Sequence, residues 1–336
     1  MIDKELAREL ASLSDKGVKT VATIGMTSRP SAHFTVLPRR QACGFEFINV
    51  LVSNEQAAVQ CMNYLDNKVN YIFVDVEAKK NLDLESLAYR VIKQSTIVPY
   101  KPNDVTLEAC DQFLLYYFGH SVKNKKLLIY GAGNIGGKLA LRLAERGAKV
   151  SLYSRNGEKC DYVTHALNLL LPKYSPNKIE AMKKIDDQSN FFDGLISFVS
   201  AEQVVGEEMI NLLKKNALVL DGGINNFTPQ FYQQSFTKLL HCYRLDVRIG
   251  FLYSLLPLSP YIRDFFKSVQ GKSMIETIPV VSGGVIGSEG DIVVDNVNFP
   301  RQLIGIANGI GGLKNKEEYT PVDLQNLKLV QRHLQS

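Results

Sequence analysis

The chain has 336 residues, 45% of them hydrophobic and 22% charged, with a net charge of +5, so it is long enough for two globular domains, each with its own core. The charge is spread along the sequence, and its densest cluster, Val122-Lys123-Asn124-Lys125-Lys126, reads as a solvated loop before a strand, which argues against a nucleic-acid partner. The five cysteines are odd in number, widely spaced and never in C-x-x-C order, which suggests neither a disulfide framework nor a zinc site and fits a reducing, cytoplasmic setting.

The first segment, MIDKELARELASLSDKG, is an amphipathic helical pattern with interspersed acids, unlike a signal peptide, and no apolar run approaches the ~20 residues that span a bilayer. A soluble protein without a membrane partner is expected. Thr20–Gly25, Phe45–Val52 and Asn70–Val76 are short runs rich in Val, Ile and Phe, whereas Glu55–Tyr64 and Asp83–Ile92 between them read as helices. This alternation predicts an α/β domain with a mostly parallel sheet. From Asn103, the spacing of Cys110, Phe113, Leu114, Tyr117 and Phe118 makes one apolar stripe, a helix expected to connect two domains.

The stretch LLIYGAGNIGGKLALRLAERGAKVSLYSRN at 127–156 carries G-x-G-x-x-G at Gly131, Gly133 and Gly136. Strand Lys126–Tyr130, helix Gly136–Gly147 and strand Lys149–Tyr153 complete a βαβ unit around it. Gly131 allows the tight turn, Gly133 lets a pyrophosphate approach the backbone, Gly136 permits close helix packing, and the helix start at Asn134 and Ile135 offers N–H donors to the anion. An acid after the second strand would select NAD. Between Lys149 and Gly157 there is none, and Ser154, Arg155 and Asn156 stand there instead with Lys159 nearby. A guanidinium can pair with a 2′-phosphate, so NADP is the expected cofactor, with NAD as the second choice. Leu195–Ser200 and Ala217–Asp221 read as further buried strands, and Ser200 is a further cofactor candidate. In YRLDVRIG, the residues Arg244, Asp246 and Arg248 alternate as on one face of a strand. The five histidines have no metal-ligand spacing, and no metal is expected. Thr320-Pro321-Val322-Asp323 reads as a capping-box helix start.

The segment TIGMTSRPSAHFTVLPRRQACGFEFINVLV at 23–52 resembles the opening of shikimate and quinate dehydrogenases: a strand, a G-x-P-I-x-H-S-x-S-P pattern, a helix and a second strand. Gly25, Pro30, His33, Thr35 and Pro38 stand in comparable places, with one extra residue between His33 and Pro38. The family's two carboxylate-binding serines are replaced here by Phe34-Thr35-Val36-Leu37; the resemblance implies substrate contacts from His33 and Thr35, and Arg39 or Arg40 can add an ionic one. The family's N-T-D-G-x-G segment corresponds to Lys101-Pro102-Asn103-Asp104-Val105-Thr106. Its aspartate maps to Asp104, which in the family shuttles a proton together with a lysine after the third strand, here Lys79 or Lys80. A second resemblance, to methylenetetrahydrofolate dehydrogenase/cyclohydrolase, runs through VPYKPNDVTLEACDQFLL, ALVLDGGINN and IPVVSGGVIGSEGD, with Tyr64 and Lys68 as its Y-x-x-x-K. Both families imply that Gly283, Gly284, Gly287 and Asn308-Gly309 lie near the nicotinamide.

The expected molecule is thus α/β: a substrate domain at 1–104, a doubly wound Rossmann domain at 105–319, and a C-terminal helix at 320–336 returning to the first domain. Its expected activity is NADP(H)-dependent hydride transfer with a small carboxylated hydroxy or keto substrate. The alternatives are a methylenetetrahydrofolate-type dehydrogenase and a non-catalytic NADP-binding subunit; a homodimer is compatible with all three.

Overall fold

A computed structural model describes residues 2–13, 17–26, 33–77, 81–183 and 191–335. The chain divides into two compact units, 1–254 and 255–336.

The first unit opens with helix α1 (Ile2–Leu10), followed by strands β1 (Lys19–Met26), β2 (Phe34–Ala42) and β3 (Phe45–Val52), helix α2 (Glu55–Leu65), strand β4 (Tyr71–Asp75), helix α3 (Leu84–Val91) and strand β5 (Thr96–Tyr100). These strands form a sheet in the order β2-β3-β1-β4-β5, in which β3, β1, β4 and β5 run parallel. The alternation of the strands sends Ala22, Ile24, Ile48 and Ile72 to one face, where they pack with Leu6, Cys61, Met62 and Leu87 of the helices. Phe47 and Phe73 leave the other face and close around the ring of Phe251, at 4.8 and 5.9 Å between centroids.

Residues 34–42 correct the family resemblance. Where it leads to a helix between the first two strands, Phe34–Ala42 is a strand, antiparallel to β3, with a register shift between Leu37 and Arg40. Pro38 and Arg39 occupy the shift, and the Pro38 carbonyl accepts from Asn49 Nδ2 at 2.9 Å. The reason is local: FTVLPRRQA is rich in strand formers, and a proline without an N–H is tolerated at a bulge on an edge strand.

Helix α4 (Pro102–Tyr117) leads into the second sheet. There, β6 (Lys126–Tyr130), α5 (Asn134–Glu145), β7 (Lys149–Tyr153), α6 (Gly157–Leu170), β8 (Glu180–Ala181), β9 (Phe192–Ser197), β10 (Leu213–Asp221) and β11 (His241–Arg244) follow one another. The sheet order is β11-β10-β9-β6-β7-β8, all parallel. Counted from β6, this is 3-2-1-4-5-6 read from the opposite edge, the doubly wound dinucleotide-binding arrangement with its switch point between β6 and β9. α4 joins this sheet's core through Leu107, Cys110 and Leu114. It is bolted to α5 by the buried Asp111, which pairs with Arg142 at 3.1 Å and with Arg146. As the sequence suggests, α5 ends at Gly147, whose φ of +82° is the left-handed cap that glycine adopts without strain.

Beyond β11 the strand reading of YRLDVRIG fails. The strand stops at Arg244, and Asp246 caps a short helical turn at Val247–Gly250, its carboxylate accepting from Arg248 N at 3.0 Å and pairing with the Arg248 guanidinium. An aspartate two residues before an arginine in a turn satisfies both locally, and alternation along a strand never arises.

In the second unit, strands β12 (Gly271–Ile275), β13 (Ile278–Ser282), β14 (Ile292–Val294) and β15 (Leu303–Ile306) form a four-stranded sheet of their own. The last helix, Pro321–His333, starts with the expected capping box at Thr320 and Asp323. Its Val330 is buried among Ile275, Ile278, Val280 and Ile292. Lys314 pins the helix start by pairing with Asp323 at 3.1 Å.

Candidate functional site

The three glycines after β6 divide their labour as steric chemistry requires. Gly131 has φ +128°, and a Cβ on it would meet the Phe198 carbonyl oxygen at 2.6 Å. A Cβ on Gly136 would run into the carbonyl oxygen of Gly131, so this glycine holds α5 against the turn. Gly133, the N-cap of α5, differs: a Cβ there would meet nothing within 4 Å. Its bareness serves no packing purpose, and the open space at a helix N-terminus is what a pyrophosphate needs.

Beside this turn, a cavity of ≈ 260 Å³ is lined by Gly131, Gly133, Ser154, Arg155, Lys159 and Ser200, among others. Arg155 and Lys159 are exposed there, and neither forms an ion pair with a described residue. Asn156 does not face it: its side chain caps α6, accepting from Lys159 N at 2.9 Å. Of the sequence-predicted cofactor residues, the structure therefore gathers Gly131, Gly133, Ser154, Arg155 and Ser200 around one cavity and gives Gly136 and Asn156 structural work.

A second opening, ≈ 300 Å³, continues around the helix start, where Asn134 and Ile135 face Ser200, Gly222, Gly223, Asn103 and Thr106. Sequence reasoning passed over what shapes it. Asn226, fully buried, accepts from Ser197 Oγ at 2.9 Å and donates to the carbonyls of Val199 and Ala201 at 3.0 and 2.9 Å. Asp221 accepts from the N–H groups of Gly223 and Asn226. The two side chains fix the loops after β9 and β10, and the signal was an acid closing a buried strand immediately before two glycines.

Thr106 also lines a third cavity, smaller (≈ 100 Å³) and more enclosed, at the carboxyl ends of β1, β4 and β5, where open parallel sheets bind ligands. Besides Thr106, its polar side chains are Thr23, Arg40, Asp75 and Tyr100, and Phe251 forms part of its wall. The Asp75 carboxylate accepts from Met26 N at 3.1 Å and Glu77 N at 2.8 Å. Burial, reinforced by the nearby Asp75 charge, pushes the Tyr100 hydroxyl up, so it stays protonated. Burial likewise lowers the Arg40 pKa from its usual height. The position of Phe251 depends on Gly250, where a Cβ would meet Ala109 N at 2.8 Å and strike the Val105 carbonyl; glycine lets the turn seat directly on α4.

The predicted substrate and catalytic residues fare unevenly. Arg39, on the bulge, points to the helical face and pairs with Glu9 at 2.7 Å, leaving Arg40 in the cavity. His33 is exposed, 3.0 Å from Asn54 Nδ2 and 3.3 Å from Ser53 Oγ, and Thr35 lies opposite Leu51 in the β2–β3 ladder; neither lines the cavity. Lys79, Lys80 and Pro30 lie outside the described residues. Asp104 turns toward α5, 2.5 Å from Lys138 and 2.6 Å from Lys101. Burial opposes its charge, but the hydrogen bonds from the two lysines prevail and hold the carboxyl below its ordinary value, while Lys101 is raised in return. Gly284, φ +82°, belongs to a turn after β13 in the second unit.

Residues 126–238 match the family model for the NAD binding domain of 6-phosphogluconate dehydrogenase, a span that includes β6 through β10. No curated protein matches the sequence. Among solved structures, a shikimate dehydrogenase in complex with NADP+ is similar over 72% of this chain and 88% of its own, with 14% identity and a TM-score of 0.43. L-tryptophan dehydrogenase from Nostoc punctiforme covers 79% and 88%, with 11% identity and a TM-score of 0.44. Ornithine carbamoyltransferase from Pyrococcus furiosus covers 75% and 89%, with 12% identity and a TM-score of 0.41. By sequence, residues 126–238 are similar to a dinucleotide-binding domain of the NAD-binding kind.

Proposed function

We propose that the protein is an NADP(H)-dependent oxidoreductase acting on a CH–OH group, or on the corresponding carbonyl, of a small carboxylated substrate, in the manner of shikimate dehydrogenases. The observation that carries this reading is the adjacency of two openings through Thr106: the glycine-lined space at the start of α5, and the enclosed polar cavity at the strand ends of the first sheet. A bare Gly133, the free N–H groups of α5, and Arg155 with Lys159 fit the pyrophosphate and 2′-phosphate of NADP. NAD, lacking that phosphate and finding no acid after β7, is the second choice.

When bound, the nicotinamide supplies or accepts hydride at C4. The chain's own contribution is to position, to exclude water and to move a proton. Asp104, paired with Lys101 and Lys138, and a lysine after the third strand are the residues that the shikimate-dehydrogenase resemblance assigns to the proton. The cavity's small volume favours a short acid over a pteridine.

The test is a panel of hydroxy acids, with methylenetetrahydrofolate as the rival, assayed for NADPH formation. A hydroxy acid should give NADPH. Turnover of the folate alone moves the protein to the second family, and NADP binding without turnover of any compound leaves a non-catalytic subunit. Asp104→Asn should lower turnover at least about 100-fold with NADP affinity kept; unchanged turnover removes Asp104 from the mechanism.

A further inference from the structure

We infer that the enclosed cavity of the first sheet is a carboxylate-binding site, with the Arg40 guanidinium as the anchor and the Tyr100 hydroxyl as a second donor. Calling the bound acid a substrate rests on the oxidoreductase reading; the anion site is argued from the cavity itself.

Arg40 stands out by what it lacks. Its neighbour Arg39 pairs with Glu9, Arg142 and Arg146 share Asp111, and Arg248 pairs with Asp246. The Arg40 guanidinium, half-buried in the cavity wall, forms no ion pair and donates no hydrogen bond to a described residue. Burying a guanidinium without a partner is costly, so a position like this one is stabilised by an anion that arrives from outside.

The surroundings select the kind of anion. The guanidinium carbon lies 5.4 Å from the Phe251 ring centroid. A guanidinium stacked on an aromatic face keeps its in-plane N–H groups free, and two parallel N–H groups match the two oxygens of a carboxylate. Tyr100, kept neutral, adds an O–H donor. The opposing charge in the cavity is Asp75, whose oxygens accept from the N–H groups of Met26 and Glu77; outside the lining, Asp246 also acts on Arg40 but is itself paired with Arg248. Leu37, Leu51 and Val247 complete an apolar lining, and with ≈ 100 Å³ of space the ligand is an acid of a few carbons.

The experiment uses the full chain and isothermal titration with two- to six-carbon mono- and dicarboxylates, with inorganic phosphate and sulfate as controls, each with and without NADP. At least one acid should bind in preference to phosphate. Arg40→Gln should weaken that acid about 10- to 100-fold with NADP affinity unchanged, Arg40→Lys should recover part of the loss, and Tyr100→Phe should cost less than Arg40→Gln. Melting curves of each variant establish that it is folded, and the lysine variant keeps the test valid if the glutamine variant is not. Equal binding by native protein and Arg40→Gln overturns the inference, as does NADP binding with no acid bound, or phosphate binding as well as any carboxylate. Acid binding that follows Arg40 in a chain that fails to bind NADP upholds the carboxylate site and removes the oxidoreductase reading.

Discussion

The two sheets of the first unit solve the problem of a ligand site in different materials. Around β6 and α5 the site is made of backbone: missing side chains, a helix start and a left-handed turn. At the ends of β1, β4 and β5 it is made of side chains, Arg40, Asp75, Tyr100 and Phe251, whose facing is decided by a bulge and by a segment that arrives much later in the chain. A backbone site is tied to residue spacing and tolerates change around it. A side-chain site tolerates almost no shift of register, because moving one residue along a strand sends every side chain to the opposite face.

The sharpest way to break this comparison is to substitute within the glycine turn itself. Gly136→Ala puts a methyl group into the Gly131 carbonyl and should cost several kcal/mol, about 3 or more, with loss of the folded domain by circular dichroism. Gly133→Ala meets no protein atom and should leave the melting temperature near that of the native chain while weakening NADP at least about tenfold by titration. If both variants melt alike, the division of labour among the three glycines is wrong. A smaller effect is expected at the bolt between α4 and α5: Asp111→Asn leaves Arg142 and Arg146 without their shared buried acid and should destabilise by about 2 kcal/mol in urea unfolding, without changing cofactor choice. The smallest change falls on selectivity. Arg155→Ala should weaken NADP about tenfold and leave NAD affinity untouched; an equal loss for both nucleotides would move Arg155 from the 2′-phosphate to the adenine or the shared backbone.

The sequence was informative in proportion to how local the physics is. The βαβ unit was legible because strand, glycines, helix and cap agree within 30 consecutive residues, and the structure keeps β6, α5 and β7 within a residue or two of the reading, with Gly147 as the cap. The strands Phe45–Val52 and β4 were legible from composition. Arg39 and Arg40 show the limit. Two adjacent arginines on a strand point to opposite faces, and which one enters the cavity follows from the proline-containing bulge at Leu37–Arg40, which no spacing rule encodes. Asp75 and Tyr100 end their strands as ordinary-looking residues, and only the parallel pairing of β4 with β5 brings them together, Asp75 opposite Tyr100 in register. Phe251 carried no signal at all, since its partners Phe47 and Phe73 are remote in sequence.

That remoteness has a bearing on how the chain is made. Helix α4 supplies the seat for Gly250, and Gly250 sets Phe251 against Phe47 and Phe73. During synthesis the first sheet is complete at Tyr100, yet its aromatic face must wait, uncovered, until the whole dinucleotide-binding sheet has followed and residue 251 has emerged. The interval is one in which a chaperone would find a hydrophobic surface to hold, and the cavity at the ends of β1, β4 and β5 gains its Phe251 wall only after the second sheet exists.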